Sequence, residues 1–244
     1  MPKRSQAIHP LALLLASPAL LLAAVLHPGA LAGQVFTTDD AGIADPSACQ
    51  LEAWAGEAES WILPACQFVP NLEITAGALF TDFGAGSRDL AGILEGKYQL
   101  RSPDEEEWGW AVVLGAALPT ASELARPAEV FGYVPVTWAP EACPLILHLN
   151  LGWSMARFPE PQGTDSEHFL VWGARSDVEF TSRLGGTAEL FGLGGEETQF
   201  HVGLWSEVVP GRLVLFVSHG FHLDSGEDGL GFQAGFAWTP APFR

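Results

Sequence analysis

The chain has 244 residues, of which 11 are basic and 29 acidic, and its formal net charge is −18. A chain this acidic is unsuited to nucleic acid or to anionic phospholipid surfaces, because both attract basic side chains, so we expect no nucleic-acid partner. Apolar residues make up an ordinary 48%, and beyond residue 33 no run of about 20 apolar residues remains to form a membrane-spanning helix.

The chain begins with the pattern of a secretory signal peptide. Two basic residues precede an uncharged apolar stretch, residues 11–26, and Ala30-Leu31-Ala32 supplies a small-x-small cleavage site. The alternative is a transmembrane anchor, but the stretch is shorter than the ~20 residues that a span requires and contains Pro18. We therefore predict a signal peptide at residues 1–32. The polar stretch that follows, residues 33–47, is expected to form a periplasmic N-terminal segment.

Twelve later segments alternate between apolar and polar side chains with a period of two, which is the pattern of β-strands. The clearest is residues 145–155, whose odd positions are all large and apolar, whereas its even positions include His148, Asn150 and Ser154. Several segments reach the ~9–11 residues that a tilted membrane strand needs. The predicted strands are residues 49–56, 61–68, 71–80, 90–101, 108–118, 128–139, 145–155, 168–180, 184–192, 199–208, 213–221 and 230–239.

The connections between these strands alternate in length. Val69-Pro70 and residues 209–212 are tight turns, whereas residues 119–127 and 156–167 are long and rich in glycine, proline or acidic residues. Short turns at one end and long loops at the other are typical of an outer-membrane barrel with its short turns in the periplasm. Residues 102–107, with four acids, fit this scheme less well because they fall on the short side.

The same alternation is compatible with a secreted soluble sandwich or barrel, in which the apolar face is buried and the charged face is outside. Aromatic residues at the predicted strand ends, such as Tyr98, Trp108, Trp138 and Trp238, favour a membrane barrel because such rings collect at the bilayer interface. We predict an all-β fold, a transmembrane antiparallel β-barrel of about 12 strands at residues 48–244. Its lumen-lining candidates are Glu73, Glu95, Lys97, Arg101, His148, Asn150, Arg175, Asp177, Glu179, Glu189 and His201.

Two of the three cysteines flank the first predicted hairpin. If it turns near Glu57-Ala58, residues whose numbers sum to 115 face each other, and Cys49 and Cys66 are such a pair. The periplasm is oxidising, so we predict a disulfide between them rather than two free thiols. Cys143 is left over and is expected to be free.

Candidate metal and catalytic sites are poorly supported. His219 and His222 are three residues apart and would point to opposite faces of a strand, whereas zinc requires convergent ligands. His148 and Ser154 share a face but lie roughly 20 Å apart along a strand, too far for a hydrogen bond. We therefore predict no metal, no cofactor and no enzymatic activity.

Several motifs carry a resemblance to a known family. They are residues 35–42 (VFTTDDAG), 49–52 (CQLE), 70–74 (PNLEI), 96–100 (GKYQL) and 188–192 (AELFG). In these motifs the chain resembles bacterial outer-membrane barrels labelled as meta-pathway phenol-degradation proteins. The resemblance implies a porin-like or transporter-like protein of the outer membrane that contacts lipid, is inserted by the barrel-assembly machinery and passes small hydrophobic or aromatic solutes. One departure from outer-membrane barrels is the end of the chain, where Pro240 and Pro242 interrupt the last strand before Phe243.

Two classes of function remain open at this point. The first is passive passage of a small solute, and the second is a non-conducting structural barrel or one that binds partners through its loops. An outer-membrane hydrolase is disfavoured because no suitable residue constellation is present. Twelve strands lie between small, filled barrels and porins of ~16–18 strands, so the lumen could be partly filled by its own charges or by residues 34–47.

Overall fold

The computed structural model describes residues 36–82, 88–119, 129–160, 163–194, 198–223, 225 and 228–243. The predicted signal peptide, residues 1–32, lies outside the described residues. Among those described, no helix is long and apolar enough to cross a membrane.

The described residues form twelve antiparallel strands that close into one barrel. Each strand pairs with its neighbours in sequence, and the first pairs with the last. The strands are β1 (Cys49–Gly56), β2 (Glu59–Val69), β3 (Leu72–Asp82), β4 (Arg88–Arg101), β5 (Trp108–Pro119), β6 (Glu129–Trp138), β7 (Leu145–Glu160), β8 (Gly163–Thr181), β9 (Leu184–Leu193), β10 (Gln199–Val209), β11 (Leu213–His222) and β12 (Asp228–Trp238). The predicted strands are therefore all present. We call the end of the barrel where β1 begins and β12 ends the turn end.

The hairpin of β7 and β8 is longer than the sequence indicates. Residues 156–167 were expected to form a loop, because Pro159 and Gly163 favour irregular backbone, but the two strands remain paired as far as Glu160 and Gly163. Beyond its last pairing with β6, at Ala156, β7 pairs with β8 alone among the residues that the structure describes. Prolines in sheets are tolerated where a strand has no ladder partner on one edge.

The polarity of the barrel is the reverse of a soluble protein's. Leu114, Leu149 and Leu151, in the middle of their strands, are 67%, 57% and 60% exposed on the outer face. The inner face carries buried polar and charged side chains, among them Gln233 and Glu189, which are 0% and 1% exposed. Large apolar side chains are seldom exposed in such a continuous belt unless they face lipid or a partner. Of the two orientations compatible with the alternation, the barrel therefore has the one with its apolar side chains outside.

The first hairpin has the predicted register. Cys49 pairs with Cys66 and Trp54 with Trp61, so residues whose numbers sum to 115 face each other. The predicted disulfide between Cys49 and Cys66 is present, and Cys143 is a free, exposed cysteine.

Candidate functional site

Most of the side chains predicted to line the lumen lie inside the barrel. Strand alternation places them there, because each flanks apolar residues that face outward. Glu95 is partly buried, with its carboxylate 3.5 Å from the Tyr133 hydroxyl. The fully enclosed members, each less than one-tenth exposed, are Glu73, Lys97, His148, Asn150, Arg175, Asp177, Glu189 and His201.

Two predicted lumen residues lie at the turn end instead. The Arg101 guanidinium pairs with Glu106 and sits 4.0 Å from the centre of the Trp108 ring. A β-bulge after Gln99 shifts the register of β4, so a period of two no longer predicts the direction of Arg101. Glu179 is exposed near the end of β8, where the wall stops. Neither residue lines the lumen.

Residues 36–48, which we call the plug, lie inside the barrel. Thr38, Ala41 and Ala44 are 1%, 0% and 5% exposed. Residues 33–47 were expected to form a periplasmic segment or, in part, to fill the lumen, and the described residues 36–47 lie in the lumen. The physical reason is that this irregular backbone finds hydrogen-bond partners on the charged inner wall, which a buried backbone requires.

The side chains of the plug are held on the wall of β4 and β6. Asp39 receives hydrogen bonds from the Lys97 ammonium (2.9 Å) and from the Tyr133 hydroxyl (3.1 Å). A second carboxylate, that of Asp40, lies 3.8 Å from the same ammonium. The positive charge of Lys97, which is 6% exposed, is thus neutralised by the plug.

The backbone of the plug is held by wall carboxylates. Glu189 accepts the N–H groups of Thr37 (3.1 Å) and Thr38 (2.8 Å). Glu73 accepts the N–H group of Ala44 (2.7 Å). On the carbonyl side, the Arg175 guanidinium donates to the Thr38 carbonyl (2.6 Å). Hydrogen bonds to charged groups are each worth about 1.5–3 kcal/mol, so this set fixes the plug in one position.

A chain of hydrogen bonds crosses β6, β7 and β8 behind the plug. Thr137 Oγ1 accepts the Ala41 N–H (2.8 Å) and also forms a hydrogen bond with His148 Nδ1 (2.9 Å). His148 Nε2 lies 3.0 Å from Asp177 and donates to it, because a carboxylate can only accept. The order hydroxyl, imidazole, carboxylate is that of a hydrolase relay. Here, however, the Thr137 hydroxyl is bonded to the Ala41 N–H of the plug, so this row of hydrogen bonds holds the plug against the wall.

The inner wall has an aromatic side opposite these charges. Trp205 pairs with Phe216 across β10 and β11, and the next strands continue the row through Gly235 to Trp54. Phe36 of the plug packs against this row. Its ring also lies 5.1 Å from the His201 imidazole, whose Nδ1 is 3.1 Å from the Glu189 carboxylate. The plug therefore bridges a charged side and an aromatic side of the lumen.

One glycine of the wall makes room for the plug. A Cβ atom at Gly173 would overlap Thr38 Oγ1 and stand 3.2 Å from Thr38 Cβ. Glycine is common where another backbone approaches a strand closely. The sequence analysis did not select Gly173 or Thr137 as a site residue. A glycine on the inward-facing side of β8 could have indicated a close contact at position 173.

The base of the plug is bonded to β2 and to the segment that follows β12. The Gln67 N–H of β2 donates to the Ala48 carbonyl (3.0 Å), and the Phe243 N–H donates to the Ser47 carbonyl (2.8 Å). Cys49, directly after the plug, is bonded to Cys66. The plug is thus anchored at its C-terminal end by the barrel itself.

Comparison with known proteins places the chain in a family. Residues 20–207 match the family described as "Uncharacterised conserved protein UCP029691". The chain belongs to that family. This match does not support the phenol-degradation label of the family that the sequence motifs resemble. A search of curated proteins finds no match to the chain.

Two solved porins share the fold of this family member. The KdgM porin, solved with disordered oligogalacturonate, has a TM-score of 0.56 and 9% identity, over 78% of this chain and 98% of that one. The NanC porin has a TM-score of 0.51 and 9% identity, over 80% of this chain and 99% of that one. At this identity the likeness concerns the fold alone.

Proposed function

We propose that this protein is an outer-membrane channel for small solutes and that residues 36–48 close its lumen in the conformation described here. The observation that carries the proposal is the reversed polarity of a closed barrel. An apolar outer face suits lipid, and a charged inner face suits an aqueous path. The porin fold of the two neighbours supports the same role.

The outer face also supports the proposed location. Exposed leucines in mid-strand would contact lipid acyl chains, and the aromatic residues Trp108, Trp138 and Trp238 are exposed near the turn end, where an interfacial belt is expected. A barrel of this kind reaches the outer membrane through the periplasm and is inserted by the barrel-assembly machinery. The oxidising periplasm accounts for the Cys49–Cys66 disulfide.

The plug is suited to leave the lumen without unfolding the barrel. Its bonds to the wall are mostly hydrogen bonds to charged groups and ion pairs, and water can solvate those charged groups again once the plug leaves. The strand pairings of β1 with β2 and with β12 do not involve it. Its fixed base, at Ala48 and Cys49, provides a point about which the rest can move.

Conductance of a plug-displaced variant tests this function. Gly173→Val would push Thr38 off the wall, whereas Gly92→Val is a matched control, because Gly92 faces outward with its nearest neighbours at 3.7–3.8 Å. In planar bilayers we expect open-channel current from Gly173→Val and little from the control or the parent chain. If folded Gly173→Val protein passes no current, a channel function is contradicted.

A second candidate function is a non-conducting structural barrel. The number and burial of the bonds between the plug and the wall favour it, since each must break before the lumen opens. This candidate predicts the same electrical silence in the parent, the control and Gly173→Val, with all three folded. Under it the plug would be a permanent part of the core.

A further inference from the structure

The charges on the inner wall are strongly unequal. Directly paired residues share a face of a sheet, so the strands assign each charged side chain of the described wall to the lumen or to the outside. Those on the inner face and at least partly buried include eight carboxylates and two bases, namely Glu52, Glu59, Glu73, Glu95, Glu129, Asp177, Glu189, Glu207, Lys97 and Arg175. Because Arg175 lies 3.2 Å from Asp177, its charge is already balanced within the wall.

The plug adds to this imbalance rather than correcting it. It brings the carboxylates of Asp39 and Asp40, which surround Lys97. The plug donates backbone N–H groups to the acidic wall. Thr37 and Thr38 donate to Glu189, and Ala44 donates to Glu73. The two carboxylates are therefore built to accept N–H donors that approach from inside the lumen.

We infer that the open lumen selects small organic cations that carry N–H groups, such as amines, amidines and guanidines. This inference rests on the proposed channel function and names the solute class that it serves. When the plug leaves, Glu73 and Glu189 keep their wall partners Gln50 and His201 but lose the N–H donors of the plug, and a solute with charged N–H groups replaces those with charge-assisted hydrogen bonds. Anions meet a wall of like charge and are repelled, which is how rings of carboxylates favour cations in other channels.

Two isomeric cations separate charge from hydrogen bonding. The tert-butylammonium and tetramethylammonium ions have the same composition and similar size, but only the first carries N–H groups. Reversal potentials would be measured across planar bilayers that contain the full mature chain with Gly173→Val, under gradients of each chloride salt. We expect both cations to be more permeant than chloride by roughly fivefold or more, and tert-butylammonium to be the more permeant cation.

Substitution of the two carboxylates locates the effect. Glu73→Gln and Glu189→Gln, each added to Gly173→Val, keep side-chain size and remove one charge. We expect each to reduce the preference for tert-butylammonium by about twofold to fivefold. The control is Asp165→Asn, because Asp165 is an exposed acid on the β7–β8 hairpin, and the ratio should be unchanged by it. Heat-modifiable migration in gels would verify that each variant is folded.

The outcomes distinguish the two proposals. Current with a preference for chloride, or with no preference between the isomers, overturns this inference and leaves the channel function standing. Absence of current in every folded variant overturns the channel function and the inference with it. A preference that survives both Glu73→Gln and Glu189→Gln also contradicts the assignment of these two carboxylates.

Discussion

Thr38 lies so close to Gly173 that a methyl group on the glycine would overlap the threonine hydroxyl. The contact joins the plug to the middle of β8, well away from the anchored base at Ala48. It therefore reports the position of the free part of the plug. A side chain at Gly173 would displace the plug, and a covalent bond at the same point would hold it in place.

Loss of Lys97 should loosen the plug. Lys97→Ala would leave the carboxylates of Asp39 and Asp40 buried without their ammonium partner, and breaking a buried ion pair costs about 3–5 kcal/mol. Hydrogen exchange by mass spectrometry should show at least tenfold faster exchange in residues 36–48, with the strands unchanged. Arg101→Ala, at the turn end, is the matched control. Equal protection in both variants would show that the ion pair does not hold the plug.

A charge on the outer face should prevent stable insertion. Leu114 is 67% exposed in the middle of β5. Leu114→Arg should destabilise the barrel in lipid vesicles by about 2–4 kcal/mol, the cost of an arginine near the bilayer midplane. The measurement is urea unfolding in vesicles, with Leu223→Arg, at the loop end, as a control. A soluble barrel would tolerate the first substitution as well as the second, so equal stability would contradict the membrane assignment.

The disulfide should stabilise the first hairpin and the base of the plug. The sequence separation of Cys49 and Cys66 is 17 residues, and closing a loop of that size stabilises a protein by about 3 kcal/mol. Replacement of both by alanine should lower the free energy of unfolding by roughly this amount, as measured in urea. Cys143→Ala should have no effect, because Cys143 is free and exposed. A stability unchanged by the double substitution would mean that strand pairing alone holds the hairpin.

The turn between β4 and β5 should respond to pH through Asp104. Partial desolvation of its carboxylate, followed by repulsion from Asp40 and Asp45, raises the pKa of Asp104 above its ordinary value of 3.8. A carboxyl whose pKa is raised by folding favours the folded state below that pKa and disfavours it as the pH rises through it. Asp104→Asn should therefore slow hydrogen exchange of residues 36–48 at pH 7. The difference should vanish below pH ~4, where the parent carboxyl is protonated. Faster exchange in Asp104→Asn would contradict this reading of the charges.

The sequence predicts the strands and their two faces because side-chain alternation is a local property. It also predicts the Cys49–Cys66 pair, since the register of a hairpin follows from its turn. Local rules fail at the turn end, where a bulge redirects Arg101, and at the β7–β8 hairpin, where paired strands extend through Pro159. Side-chain alternation predicts the direction of a residue only where the hydrogen-bond ladder is uninterrupted and the strand is paired on both edges.

The contacts of the plug cannot be predicted from these local rules. Its hydrogen bonds from Thr38 to Glu189 and from Arg175 to Thr38 join residues 151 and 137 positions apart. Nothing periodic in residues 36–48 indicates where they lie, and irregular backbone can be satisfied equally well by water. The available signal was indirect, in the form of inward acids that outnumber bases and an inward glycine at position 173.

The most direct test of a channel closed by its own plug is a reversible lock at the contact of Thr38 with Gly173. In a Cys143→Ala background, Thr38→Cys with Gly173→Cys would place two Cβ atoms 3.2 Å apart, slightly closer than the ~3.5–4.5 Å of disulfides, so a shift of a few tenths of an ångström would let the bond form. Thr38→Cys alone controls for the reductant, which also reaches the native disulfide. We predict no current from the oxidised double variant in planar bilayers and clear current after reduction. Equal current in both states, or silence in both with the protein folded, would contradict the account.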